Sequence, residues 1–151
     1  MDALPTDSIQ TGLLLIAHGS RHAEANEDLE YVVAQMRCRG PCAIVEPAFL
    51  ELAEPTADQA GTRCVEQGAR RVIVLPYFLA AGVHVRRDLT EICRRLAERY
   101  PGVEFRLAEP LGRHPLLLQV LADRARQADK APFSREPPAS AGPKRSPEAR
   151  G

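Results

Sequence analysis

Short apolar runs alternate along the chain with longer segments in which apolar residues recur every three or four positions. Runs of this kind, bounded by turn residues, are typical of strands buried on both faces, and the longer pattern is typical of amphipathic helices. The pattern predicts four strands, at Leu13–Ala17, Ala43–Phe49, Arg71–Tyr77 and Val103–Ala108. It also predicts four helices, at Ala23–Arg37, from Pro55 to Gln67 with Gly68 as its stop, at Val85–Tyr100, and from Pro115 onward.

Each predicted strand is followed by a helix after a short connection. Such units imply a parallel sheet with helices on both faces and right-handed crossovers. We therefore predict an α/β domain over residues 12–130, with a four-stranded parallel sheet in the flavodoxin-like order 2-1-3-4. In open α/β sheets ligands bind at the switch point of the strand order, which here lies between strands one and three.

The two ends of the chain differ in composition from this domain. Residues 1–11 are polar, and we expect a flexible segment without the basic and apolar layout of a signal peptide. From Pro132 onward prolines alternate with Ser, Ala, Arg and Lys, which predicts a disordered tail over residues 131–151. The apolar runs are too short for a membrane span, so we expect a cytoplasmic protein.

Charge and cysteine content exclude some functions. Twenty basic residues balance 20 acidic residues, so we expect neither a nucleic-acid nor a membrane partner. Cys38, Cys42, Cys64 and Cys93 form no C-x-x-C pair, and we expect all four to be reduced and structural. A zinc site that uses Cys38 and Cys42 is the alternative. The chain has no phosphate-binding or dinucleotide-binding glycine motif, so ATP has no predicted site.

Polar side chains with metal-binding chemistry follow three of the predicted strands. His18 follows strand one, Glu51 follows strand two and His84 follows strand three. Two imidazoles and a carboxylate suit a divalent ion such as Fe, Co, Ni or Zn, so we predict a metal site at the switch point. The alternative for each histidine alone is a hydrogen-bonded loop residue, and Glu54 could replace Glu51.

The residues next to His18 have simpler interpretations. Gly19 ends the first strand, and Ser20 is predicted to cap the helix that follows. His22 is predicted to be a solvated residue at the start of that helix. His114 either lines the edge of the pocket or only begins the last helix.

Four arginines also lie in the loops that follow the strands, namely Arg21, Arg86, Arg87 and Arg113. A guanidinium group binds a carboxylate with two parallel hydrogen bonds, so this set suits a polyanionic ligand. The alternative for each arginine is ordinary surface charge that pairs along a helix.

Six segments together resemble one known family. They are Ala17–Arg21, Ala25–Asn26, Ala48–Pro55, Gly68–Val72, Leu75–Asp88 and Pro110–Pro115. With them the chain resembles the short, single-domain sirohydrochlorin chelatases of the CbiX and SirB type, from about Gly12 to Ala128.

The resemblance implies a chelatase-like half domain and a class II chelatase, a lyase that inserts a divalent metal into a tetrapyrrole without ATP. The substrates would be sirohydrochlorin and Co²⁺, Fe²⁺ or Ni²⁺, in cobalamin or siroheme-type biosynthesis, with no further cofactor. The resemblance places the two site histidines at His18 and His84 and the acidic helper at Glu51. The alternative is a non-catalytic carrier of metal or tetrapyrrole.

The resemblance and the residues together suggest how the site would work. His18 and His84 would hold the metal, and a histidine or Glu51 would accept the pyrrole protons. The arginines would orient the carboxylates of the ring. Longer chelatases look like two such domains fused, so we expect a homodimer of this half-size chain.

Overall fold

The structure is a computed structural model that describes residues 10–130. Four strands and four helices alternate in that range. The expected flexible start and disordered tail lie outside the described residues, except that Thr11 already belongs to the first strand. The elements are β1 (Thr11–Ala17), α1 (Ala23–Arg39), β2 (Ile44–Phe49), α2 (Ala57–Glu66), β3 (Arg71–Pro76), α3 (Val83–Arg99), β4 (Glu104–Leu107) and α4 (Pro115–Asp129).

The four strands form one parallel sheet in the order β2-β1-β3-β4, which confirms the predicted order. β1 lies inside the sheet and pairs with both β2 and β3, so that Leu13 is opposite Val45 on one side and Ile73 on the other. The segments that follow β1, β2 and β3 therefore leave the sheet at the same edge. This is the edge at which ligands bind in folds of this class.

Alternate residues of the sheet enter two separate cores. Leu14 and Ile16 of β1 pack with Val74 of β3 on the face covered by α2 and α3. Leu13 and Leu15 of β1 pack on the opposite face, which is covered by α1. These residues of β1 are between 0% and 5% exposed, so β1 is fixed firmly in the sheet.

Side chains of Arg37 and Gln67 pair with two polar groups of β2, which is an edge strand. Arg37 donates from Nε to the Val45 carbonyl oxygen at 2.8 Å. The buried carboxylate of Glu46 accepts hydrogen bonds from Arg37 at 3.2 Å and from Gln67 at 2.8 Å. The next residue, Pro47, has no N–H group to leave unpaired. β2, the strand that leads to Glu51, is therefore hydrogen-bonded to α1 through Arg37 and to the end of α2 through Gln67.

The start of α2 differs from the prediction. Pro55 was expected inside the helix, but Thr56 is the N-cap and Ala57 is the first helical residue. The Thr56 backbone N–H donates to the Gln59 side chain at 2.8 Å, and the Thr56 hydroxyl accepts from the Gln59 N–H at 3.3 Å. This reciprocal capping box is a stronger start signal than the proline before it. Gly68 follows the helix with a positive φ of 97°, as expected for a stop.

The chain divides into two compact units at Pro115. The first contains the sheet with α1, α2 and α3, and the second contains α4. No residue of α4 is buried, and the exposed apolar residues of this helix are Leu116, Leu118, Val120 and Leu121. The expected extent of the domain, residues 12–130, stays a prediction. No helix between residues 10 and 130 is long and apolar enough to cross a membrane.

All four cysteines are free, as the sequence predicted. Cys42 and Cys64 are buried, Cys93 is half-buried and Cys38 is exposed. Burial, followed by the nearby Glu46 carboxylate, raises the pKa of the Cys64 thiol to about 12. A buried thiol of this kind is a packing residue and not a nucleophile.

Candidate functional site

A tight backbone contact positions His18 directly after β1. Gly19 has a φ of +94°, and a Cβ at that position would overlap the Glu51 carbonyl oxygen. Glycine is therefore the residue that fits here. The Glu51 N–H donates to the His18 carbonyl oxygen at 3.1 Å, and the Leu50 N–H donates to that of Ala17 at 2.9 Å. The segments after β1 and β2 are thus joined at the edge of the sheet.

The imidazole of His18 stacks on the ring of Phe78. The ring centroids are 4.5 Å apart and the planes are inclined by 25°. Phe78 follows β3 and is partly buried against the core of the α2–α3 face. Its carbonyl oxygen accepts a hydrogen bond from Leu111 N–H at 3.0 Å, which links it to the segment after β4. Residues that follow β1, β2 and β3 therefore meet at His18, because Glu51 bonds to its backbone and Phe78 stacks on its ring.

His18 lines two clefts. The first cleft has a volume of about 330 Å³ and lies on the α3 side. Its other lining residues are Leu50, Glu51, Val85, Asp88, Glu91, Ile92 and Arg95. The second cleft has a volume of about 270 Å³, lies on the α1 side and is lined by residues that include Gly19, Ser20, Asn26 and Tyr77. The structure thus places His18 and Glu51 at one cleft.

Charged side chains of the first cleft have partners outside it. Glu91 accepts hydrogen bonds from Arg94, which lowers the pKa of the Glu91 carboxyl. Arg95 donates to Asp58 of α2 at 2.7 Å. Glu51 and Asp88 are the further carboxylates at this cleft.

The structure places His84 differently from the prediction. α3 begins at Val83 and not at Val85, so His84 lies in the first turn of the helix, with an exposed side chain. Val85, Asp88 and Ile92 share one helix face and line the first cleft, whereas His84 does not line it. His84 precedes Asp88 by four positions and Glu91 by seven, so it lies on the same face of α3, one turn nearer to the start of the helix.

The predicted set of three metal ligands is not assembled. Within residues 10–130 no three His, Cys, Asp or Glu side chains lie close enough together to hold a metal ion. The assignment of His18, Glu51 and His84 to a metal site stays a prediction. The same finding gives no support to a zinc site at Cys38 and Cys42.

The four arginines are all exposed. Arg86 donates to Glu109 at 3.3 Å, so it already has a carboxylate partner. An exposed pair of this kind contributes at most about 1 kcal/mol, and a ligand carboxylate can replace Glu109. Arg113 has a positive φ of 63°, which is uncommon for a residue with a side chain. Among the described residues, Arg21 and Arg87 have neither a carboxylate partner like that of Arg86 nor a positive φ like that of Arg113.

The loop between β1 and α1 corrects another expectation. Ser20 does not cap α1, because His22 is the N-cap and the helix begins at Ala23. The Ser20 hydroxyl instead accepts from the His22 N–H at 3.1 Å. The Asn26 side chain pairs with the Ser20 backbone in both directions, at 3.0 Å and 2.9 Å. His22 is exposed, as predicted, and His114 is exposed before α4.

Phe78, Asn26 and the α3 side of the first cleft had no predicted role, although Asn26 and Phe78 lie in segments that carry the resemblance. The α3 residues had a readable signal, because Val85, Asp88, Ile92 and Arg95 recur every three or four positions. The contacts of Phe78 and Asn26 join separate loops, and spacing along the chain does not reveal such contacts.

Comparison with known proteins places this arrangement in a family. The CbiX family model matches residues 12–128, which include every loop at the edge of the sheet described above. The chain belongs to the CbiX family. This confirms the resemblance drawn from the sequence.

Two relatives and one solved structure show how far the CbiX similarity extends. The chain is 42% identical over 113 residues to the chloroplastic sirohydrochlorin ferrochelatase of Arabidopsis thaliana. It is 33% identical over 117 residues to a sirohydrochlorin cobaltochelatase of Sulfolobus acidocaldarius. The structure of SirB from Bacillus subtilis with Fe³⁺ superposes with a TM-score of 0.74 at 28% identity.

These relatives differ in length. The matched part is 75% of this chain and 50% of the Arabidopsis protein, and 83% of this chain and 49% of SirB. The chain therefore spans about half the length of these two relatives. It matches the Sulfolobus protein over 78% of its own length and 91% of that protein.

Proposed function

We propose that this CbiX-family protein inserts a divalent metal, Co²⁺, Fe²⁺ or Ni²⁺, into sirohydrochlorin without ATP. The observation that carries the proposal is the similarity to proteins named sirohydrochlorin ferrochelatase and cobaltochelatase, at 42% and 33% identity. The similarity covers the whole edge of the sheet at which His18 and the two clefts lie.

His18 is the proposed metal ligand at the centre of the site. It lines both clefts and its side chain is exposed, so it is accessible to a metal. His84 is the proposed second ligand, in the first turn of the helix whose side chains line the first cleft. Neutral imidazole is the form that binds metal. Two ligands leave coordination positions open for the nitrogen atoms of the ring.

Glu51 is the proposed proton acceptor. Each divalent metal that enters the ring replaces two pyrrole protons, which must pass to a base. Glu51 shares the first cleft with His18, and their backbones are hydrogen-bonded at 3.1 Å. The exposed guanidinium groups of Arg21, Arg87 and Arg113, together with Arg86 after release from Glu109, would bind the carboxylates of the macrocycle.

A homodimer and a cytoplasmic location complete the proposal. The chain matches only about half the length of some relatives, and α4 exposes Leu116, Leu118, Val120 and Leu121. Exposed apolar residues in such a group are typical of protein contacts, and twofold dimers are the commonest assembly. Light scattering at micromolar concentration should give twice the 16.6 kDa mass of the chain. A mass of one chain would contradict the dimer.

Multiple turnover separates the enzyme from a carrier. Metal-free sirohydrochlorin is incubated anaerobically with Co²⁺, Fe²⁺ or Ni²⁺, without ATP, and the absorbance change of the ring is followed. We expect at least one metal to enter faster with the protein than without it, with many rings metallated per protein chain. Binding that stops at one ring per chain, with no rate enhancement, would indicate a carrier and contradict the proposal.

A further inference from the structure

Different contacts hold the backbone and the side chain of His18. Hydrogen bonds from Leu50 and Glu51 fix the backbone around His18 at the edge of the sheet. The imidazole itself is exposed to solvent, and the ring contact that the structure shows for it is the stack on Phe78. Rotation of the His18 side chain away from its present orientation would break this stack.

Phe78 is itself fixed from several sides. Its ring packs against the core of the α2–α3 face. The preceding residue, Tyr77, donates its N–H to the Ile16 carbonyl oxygen at 2.7 Å, and the Phe78 carbonyl oxygen accepts from Leu111 at 3.0 Å. Glycine at position 112 lets that segment approach Leu79 closely, since a Cβ there would overlap the Leu79 carbonyl oxygen. Packing and backbone hydrogen bonds therefore hold in place the surface that contacts His18.

We propose that Phe78 is a positioning residue of the metal site, which holds the His18 imidazole in the orientation that makes it the shared wall of the two clefts. This inference rests on the proposed function. Without the stack, the imidazole must be ordered when the metal binds, and that ordering opposes binding. The stack supplies the order before the metal arrives.

The strength of the stack sets the expected effect. An aromatic pair at this separation favours its stacked state by roughly 2- to 12-fold in an equilibrium constant, beyond the burial of surface. Phe78→Leu should therefore weaken metal binding and raise the KM for the metal by roughly that factor. The kcat at saturating metal should change less, because the bound metal then orders the ligand.

A matched control separates positioning from packing. Phe105 of β4 is also a half-buried phenylalanine packed against the same core, but the stack on His18 involves Phe78 alone among the described aromatic pairs. Phe105→Leu should lower thermal stability about as much as Phe78→Leu and leave the affinity for the metal unchanged. Phe78→Tyr keeps an aromatic face and should restore the affinity.

The experiment measures Co²⁺ binding by titration calorimetry without tetrapyrrole, and the KM for Co²⁺ and kcat in the insertion assay, for all four proteins. Equal Co²⁺ affinities for Phe78→Leu and Phe105→Leu would overturn the positioning role. If Phe78→Leu does not fold, Phe78→Met replaces it, and an affinity for Co²⁺ equal to that of Phe78→Tyr overturns the role. A wild-type protein that inserts no metal would instead contradict the proposed function.

Discussion

Replacement of Gly19 by alanine tests the backbone contact on which the site is built. The glycine has a φ of +94°, and its missing Cβ leaves room for the Glu51 carbonyl oxygen. A Cβ would lie less than 3.0 Å from that oxygen, closer than real Cβ atoms come. The neighbour is backbone and not the end of a flexible side chain, so the segments after β1 and β2 must separate.

The destabilisation follows from two contributions. A residue with a side chain in such a backbone conformation costs about 1–3 kcal/mol. Separation of the two segments also breaks the hydrogen bond from Glu51 to His18, which contributes about 0.5–1.5 kcal/mol. We expect Gly19→Ala to lower the free energy of unfolding by about 2–4 kcal/mol, or Tm by roughly 10 °C.

The assay is thermal and urea unfolding followed by circular dichroism, with Gly102→Ala as the matched control. Gly102 has open space where its Cβ would be, so its replacement should change the free energy of unfolding by less than about 0.5 kcal/mol. Gly19→Ala should also lose activity below its Tm, because His18 and Glu51 move apart. Equal stabilities for the two variants would refute the reasoning.

Two further predictions concern a helix start and the thiols. Thr56→Ala removes the capping box of α2 and should lower the free energy of unfolding by about 1 kcal/mol. Urea titration measures this change, and an unchanged free energy of unfolding would contradict the stabilising role of the cap. Iodoacetamide at pH 8 should alkylate the exposed Cys38 first and Cys64 last, because burial raises the pKa of Cys64 to about 12. Peptide mass mapping checks the order, and equally rapid labelling of folded Cys64 would contradict its burial.

The sheet could be predicted from the sequence because its signal is local. The apolar runs at Leu13–Ala17 and Arg71–Tyr77 each mark a strand, and the short connections to helices leave few parallel topologies. The strand order then placed His18 at the correct edge of the sheet. No tertiary contact was needed for any of these steps.

The cap of α1 and the start of α3 were misplaced because these caps carry no side-chain signal. α1 is capped by His22 and α3 by Gly82, and neither makes a side-chain hydrogen bond to the helix. Ser20 looked like a better cap than His22, and Val85 looked like a better start than Val83. The second error moved His84 from a loop into a helix, where its direction is set by the helical rotation.

The stack of His18 on Phe78 and the close approach of Gly19 to Glu51 join different strand ends. Such contacts depend on how the loops fold over one another at the edge of the sheet. A strand-end position in the sequence predicts which residues share that edge, but not which of them touch.

Metal insertion by His18→Ala tests the central claim most directly. The variant, the wild type and His22→Ala are compared in anaerobic insertion of Co²⁺ into sirohydrochlorin, with Tm measured on the same samples. His22 is exposed at the N-cap of α1 and serves as the control. We predict that His18→Ala keeps its fold and loses nearly all activity, while His22→Ala keeps most of it. A folded His18→Ala protein that inserts metal at the wild-type rate would contradict the account.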